Sequence, residues 1–257
     1  MTTKQQVYCH MKLVVLDIDG TLTQTNDADT DCFVSALEEC FALTNIETDW
    51  SLYTHSTDAG IMEELFHKHF RRSPSHDEIA RMQNSFVSQL QLMHDSDEAA
   101  FISVAGAADF LACLFANKEW GSVLATGGWA ASARFKLQAA NLFVPCPIVS
   151  SDDGVSREAI IEQAIQTCLG FYRVDGFSRI VSVGDAIWDV NTAKTLRLSF
   201  VGIAQGARAD RLRSLGASNL LADFTDLDEV FTALDEALEP AGISDSRQLV
   251  ATARPQC

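Results

Sequence analysis

Leu13-Val14-Val15-Leu16-Asp17-Ile18-Asp19-Gly20-Thr21-Leu22-Thr23 is the stretch on which the reading of this chain turns. Four consecutive apolar residues fit a parallel strand covered on both faces. Two carboxylates follow with one residue between them, and a glycine makes the turn. The carboxyl end of a buried strand is where open α/β sheets bind ligands. Carboxylates paired in such a place lose hydration and repel one another. They need compensation, commonly a metal ion.

A second run repeats the pattern: Arg179-Ile180-Val181-Ser182-Val183-Gly184-Asp185-Ala186-Ile187-Trp188-Asp189. A β-branched strand ends in Gly-Asp, and another Asp stands four residues on. A helix expected from Ala186 to Leu196 places Asp189 in its first turn. Asp185 is then a direct metal ligand, and Asp189 lies one helical turn away, where it can hold metal-bound water or neighbouring groups. Alternatively, Asp189 is only a favourable charge at a helix N-terminus. Oxygen-only ligands suit Mg²⁺ better than Zn²⁺, and no Cys or His stands at ligand spacing.

Two smaller signals lie between these runs. Gly121-Ser122-Val123-Leu124-Ala125-Thr126-Gly127-Gly128 reads as a short strand ending in a hydroxyl and free backbone amides, a neutral phosphate cradle. In Asp152-Asp153-Gly154-Val155-Ser156-Arg157-Glu158, Ser156 is a helix N-cap. The helix then runs through Ile161, Ile165 and Cys168 to a stop expected at Gly170. Arg157 falls in its first turn, where a cation opposes the helix dipole by roughly 0.3–1 kcal/mol. It is either simply exposed or paired with an anion.

Asp-Ile-Asp-Gly-Thr, the strand-threonine Ala125-Thr126, the helix-leading Arg157 and Gly-Asp-Ala-Ile-Trp-Asp follow one another as the four motifs of the haloacid dehalogenase-like hydrolases do. From about Leu13 to the 220s the chain resembles that family, and in particular its phosphoglycolate phosphatase-like members. Arg157 stands where lysine is commoner, and Lys136 and Lys194 are rivals by residue type.

The resemblance implies a Rossmann-like three-layer α/β core with a mainly parallel sheet, and a mechanism. Asp17 would attack phosphorus and become an aspartyl-phosphate. Asp19 would protonate the leaving oxygen and then activate water. Mg²⁺ would be held by Asp17, the backbone carbonyl of Asp19 and Asp185, with Asp189 helping to position it. Thr126, Gly127 and Arg157 would bind the phosphoryl oxygens. Dehalogenating relatives do not need an acid at position 19, so its presence favours phosphate chemistry.

Composition sets bounds. A chain of 257 residues that is 47% hydrophobic can bury a large core. No apolar run is long enough to span a membrane, and the N-terminus has no signal-peptide layout, so a cytoplasmic protein is expected. Seven scattered cysteines without a Cys-x-x-Cys read as reduced thiols. The net charge of −16 and the lack of a basic stripe exclude nucleic acid. A small phosphorylated metabolite stays compatible, because Mg²⁺, Arg157 and backbone amides make the cleft locally attractive to an anion. The chain is expected to act as a monomer or homodimer.

Residues 24–103 read as a helical cap inserted after the first strand, and residues 1–23 with 104–257 as the catalytic core. Phe33, Leu37 and Phe41 repeat at helical spacing. So do Ile61, Leu65 and the Met62-Phe66 pair, then Ile79, Phe86, Leu90 and Met93. Hinges are expected near 24–27 and 96–103. Further strands are expected near 121–125, 147–150, 179–184, 198–203 and 219–222, with a fraying tail from Pro240. The polar loop from Trp50 to Asp58 separates the first two cap helices, and Thr54, His55 and Thr57 are candidates for reading the leaving group. Alternatively, Ser56, Thr57 or Asp58 caps the next helix and His55 is simply exposed.

The reading is a Mg²⁺-dependent phosphatase of small phosphomonoesters. A phosphomutase, a phosphonoacetaldehyde hydrolase-like enzyme using Lys68, and a receiver-like phospho-acceptor module are the alternatives.

Overall fold

Strand β1 (Lys12–Leu16) lies at the centre of a six-stranded sheet, flanked by β2 (Trp120–Ala125) and β4 (Arg179–Gly184). The full order is β3-β2-β1-β4-β5-β6, with β3 at Ile148–Val149, β5 at Ser199–Ile203 and β6 at Asn219–Leu221, and every pairing is parallel. These elements belong to a computed structural model that describes residues 11–242. The expected fraying beyond Pro240 lies mostly outside the described residues.

Alternation along β1 shows why its apolar run has no polar face. Val14 and Leu16 pack into one core with α4 (Ala107–Ala116), α5 (Ala130–Ala139) and α9 (Leu227–Glu236). Leu13 and Val15 pack into a second core with α6 (Arg157–Tyr172), α7 (Ile187–Leu196) and α8 (Gly206–Ser214). The sheet is therefore the middle of three layers. The chain leaves β1 toward β2 on one side and later returns to β4 on the other. This makes the β1/β4 boundary the topological switch point, and Asp17 and Asp185 stand at its carboxyl end.

Three helices make the insertion: α1 (Asn26–Phe41), α2 (Asp58–Phe70) and α3 (His76–Ser96). Its two linkers meet at Thr23 and Ser103, which form an antiparallel bridge, and the Gln24 amide donates to the Ile102 carbonyl. The apolar stripes of the three helices converge on Phe33, Leu37, Met62, Phe66, Phe86 and Leu90. Trp129, which precedes α5 of the core, completes this cluster and packs 5.8 Å from Phe33. The apolar cluster of the inserted helices is thus shared with the α/β core.

Helix α6 does not stop at Gly170. It continues to Tyr172 and ends on Arg173 in the left-handed conformation. The Tyr172 hydroxyl accepts from the Ser122 amide and donates to the Ser122 carbonyl of β2. That anchor outweighs the weak preference of a glycine to end a helix. Strand β3 is shorter than expected because only Leu124 and Ala125 face it.

Among the described residues Cys32, Cys40, Cys113, Cys146 and Cys168 are free thiols. No helix of the described chain is long and apolar enough to cross a membrane.

Candidate active site

Asp17 follows β1 directly, and its amide still donates to Val183 of β4. The residue is 7% exposed. Arg157 Nη1 donates to Asp17 Oδ1 at 3.1 Å, and the same nitrogen reaches Asp189 Oδ1 at 3.1 Å. Thr21 donates to Asp17 Oδ2 at 3.3 Å. Arg157 opens α6 under its Ser156 cap. Two buried carboxylates offset the unfavourable placement of a cation there.

Lys136 and Lys194 do not share this position. Lys136 points to a different carboxylate, and Lys194 lies in the last turn of α7, away from the cavity lining.

Oxygens of Asp17, Asp185 and Asp189 lie within 4.8 Å of one another, and all three residues are buried. Burial pushes the Asp17 carboxyl well above the ordinary range, and Asp189 pushes it further while Arg157 opposes. Asp185 is raised to about 7, by burial first and Asp189 second. Asp189 is also raised by burial, against Arg157 and the Ala186 amide that donates to its Oδ2 at 3.0 Å. Asn26 and Arg208 each approach Asp185 Oδ2 at 3.3 Å. The set is short of positive charge, and all its donors are hard oxygens.

Gly20 and Gly127 make this proximity possible. Gly20 has φ +79, and a Cβ there would collide with the Asp185 carboxylate. A Cβ on Gly127 would lie 2.7 Å from Arg157 Nη2.

Asp19 leaves the strand direction at this turn. Its Oδ1 accepts from the Thr25 hydroxyl at 2.5 Å and its Oδ2 from Lys136 Nζ at 2.6 Å. Its carboxylate is therefore not in the cluster of Asp17, Asp185 and Asp189.

Thr126 is 2% exposed and faces the cavity, where its hydroxyl accepts from the Gly128 amide at 3.0 Å. Together they bound a cavity of about 320 Å³, shared by Asp17, Asp19, Arg157, Asp185 and, from the inserted segment, Phe33, Trp50, Ser56 and Asp58.

The loop from Trp50 to Asp58 is seated on the α/β core. The Ser56 carbonyl accepts from Arg157 Nε at 3.2 Å, and the Thr57 hydroxyl donates to the Val155 carbonyl at 2.6 Å. The Asp58 amide donates to Gly127, and Asp58 Oδ2 accepts from the Trp129 amide at 2.9 Å. Thr57 also caps α2 through the Gly60 amide. Its hydroxyl is thus spent on structure. Thr54 and His55 line a smaller neighbouring pocket of about 210 Å³ and not the cavity around Asp17.

Trp50, Ser51, Ser56 and Asp58 are the loop residues that reach the main cavity. Asp29, Asp58 and Lys136 were not foreseen in these places, although a signal existed. Asp29 precedes Phe33 and Leu37 by four and eight residues, and Lys136 shares the stripe of Ala133, Leu137 and Ala140. A charged residue on an apolar stripe marks a buried ion pair or a site.

No protein-family model matches the chain, and no curated protein matches it in sequence. Solved structures match its fold. A hydrolase from Pseudomonas syringae is 19% identical over 86% of this chain and 98% of its own, with a TM-score of 0.62. CbbY from Rhodobacter sphaeroides, in complex with phosphate, is 19% identical over 88% of this chain and 99% of its own, with a TM-score of 0.64. A haloacid dehalogenase-like family hydrolase from Streptococcus pneumoniae is 14% identical over 86% and 99%, with a TM-score of 0.53. The likeness extends over both the sheet and the inserted helices, and the chain has the fold of the haloacid dehalogenase-like hydrolases.

Proposed function

We propose that this chain is a Mg²⁺-dependent phosphatase of small phosphomonoesters, working through a phosphorylated Asp17. The carrying observation is Asp17 at the cavity floor, gripped by Arg157 and Thr21, with Asp185 and Asp189 beside it. Three buried carboxylates with raised affinity for protons fit a hard divalent cation. Asp17, Asp185 and the Asp19 backbone carbonyl would hold it, with Asp189 behind them. When bound, Mg²⁺ supplies positive charge that offsets the phosphoryl oxygens and the clustered carboxylates.

The chain's own residues divide the remaining work. Asp17 attacks phosphorus, forming an Oδ–P bond as the ester P–O bond breaks. Asp19 gives a proton to the departing oxygen and later takes one from the attacking water. Arg157 and the Thr126–Gly128 loop bind the phosphoryl oxygens. Asp189 aims Arg157. The seated cap excludes water, and a cavity of about 320 Å³ suits a small metabolite. Thr54 and His55 would read only a leaving group long enough to enter the neighbouring pocket, which Arg157 and Trp188 also line. The phosphate bound by CbbY supports this chemical class of ligand.

The test is phosphate release from a panel of phosphorylated metabolites with Mg²⁺. Release by the wild type and none by Asp17→Asn is expected. Release that survives Asp17→Asn, or that continues after exhaustive chelation, would overturn the proposal.

A further inference from the structure

Lys136 is a buried cation that the reaction as drawn does not use. It comes from the apolar stripe of α5 and is 0% exposed. Its Nζ donates to Asp19 Oδ2 at 2.6 Å and to Asp29 Oδ1 at 2.5 Å. Asp29 stands in the first turn of α1, so the ammonium joins the end of β1, the core helix α5 and the cap helix α1. A lysine is rarely buried so fully without such partners.

Arg157 cannot substitute for it, because its guanidinium is committed to Asp17, Asp189 and the Ser56 carbonyl. With Thr25 on Oδ1 and Lys136 on Oδ2, both oxygens of Asp19 are fixed.

We infer that Lys136, anchored by Asp29, is a positioning residue that sets where the Asp19 carboxylate stands when it receives a proton from water. The inference rests on Asp19 being the acid/base of the proposed phosphatase. In the second half-reaction, the water oxygen bonds to phosphorus and the P–Oδ bond to Asp17 breaks. Asp17 recovers its carboxylate, inorganic phosphate leaves, and Asp19 takes the proton that water loses. A carboxylate displaced from this position leaves the water unactivated. Since Asp29 belongs to the cap, the clamp is complete only with α1 seated. Cap closure and water activation are thereby linked.

The ratio of the two half-reactions separates this role from a merely structural one. An activated aryl phosphate needs little protonation of its leaving group, so phosphoryl transfer to Asp17 should survive without a well-placed Asp19. Rapid quench with p-nitrophenyl phosphate and Mg²⁺, followed by mass measurement, reads both steps. Lys136→Met is expected to accumulate phosphoenzyme. Its transfer rate should stay within about threefold of wild type while hydrolysis of the intermediate falls roughly 10–100-fold, part of what a full acid/base group supplies. Asp29→Asn keeps the lysine and should shift the ratio the same way by a smaller factor. If Lys136→Met does not fold, Asp29→Asn decides.

Equal slowing of both steps, or no change in their ratio, overturns the inference. Asp19→Asn is the reference. If it too fails to accumulate phosphoenzyme, the acid/base assignment fails, whereas accumulation in Asp19→Asn alone defeats only the role of Lys136.

Discussion

Two ion-pair clusters flank Ile18, and they differ in how they are built. On one side Arg157 bridges Asp17 and Asp189, whose carboxylates also approach Asp185. On the other, Lys136 bridges Asp19 and Asp29. In the first, three buried carboxylates meet the buried Arg157 guanidinium and the exposed Arg208, which reaches only Asp185, so one negative charge is left to balance. In the second, one ammonium and a hydroxyl satisfy the carboxylate that must move a proton. Three carboxylates with oxygens within 4.8 Å of one another suit the binding of a divalent ion, whereas a carboxylate with both oxygens hydrogen-bonded suits a group that must be held in place.

The largest expected effect falls on the first cluster. Asp17→Asn should reduce turnover to the background rate, because an amide cannot form the acyl phosphate. Phosphoprotein found in this variant on a Ser or Thr would move the nucleophile elsewhere.

Next is Arg157→Ala, which should lower turnover by about 10²–10³, as removal of comparable oxyanion donors does. Lys194→Ala, outside the cavity, should stay near wild type. A reversal of these two in steady-state assays would break the assignment of the cation.

A stability measurement sharpens the comparison further. Asp185, raised to about 7, and Asp29, raised to about 6, bind protons more tightly in the folded chain than in the unfolded one. Their contribution is fully present below about pH 4 and is lost as pH rises through 6 and 7. Glu78, held down to about 2 by Arg72, acts in the opposite sense, but its contribution is complete before pH 5. Chelated protein should therefore lose roughly 5 °C in Tm between pH 5 and pH 8. Asp185→Asn should flatten the slope, and Mg²⁺ should raise Tm at pH 8. A Tm that climbs over this range in chelated protein would contradict the charge deficit.

The smallest effect concerns the cap loop. Thr57→Ala removes the α2 cap and the bond to Val155. It should cost about 1–2 kcal/mol in denaturant unfolding and leave the ranking of substrates unchanged. His55→Ala should do the reverse, with little change in stability and altered relative efficiencies for the larger metabolites.

Both strand ends were readable from local pattern. The apolar run at 13–16 and the β-branched run at 180–183 read as buried strands of a parallel sheet, and the sheet's switch point then brings Asp17 and Asp185 together. Ser156 as the cap of α6 was legible for the same local reason. The end of α6 was not, because the Tyr172 hydroxyl finds Ser122 fifty residues away. Nor was the division of labour in the cap loop, where Ser56 and Asp58 reach the cavity while Thr57 is consumed by Val155.

Residue order and polarity determine the three-layer architecture, the helical insertion and the row of carboxylates at the strand ends, because strand burial and helix amphipathicity are properties of a few consecutive residues. Which cation serves which carboxylate is decided by tertiary structure alone. Arg157 meets Asp17 across 140 residues and Lys136 meets Asp19 across 117. Both cations are one residue type away from being interchangeable. Only the rotation of α5 and α6 against the sheet, set by the packing of their apolar stripes, sends one to each side of Ile18.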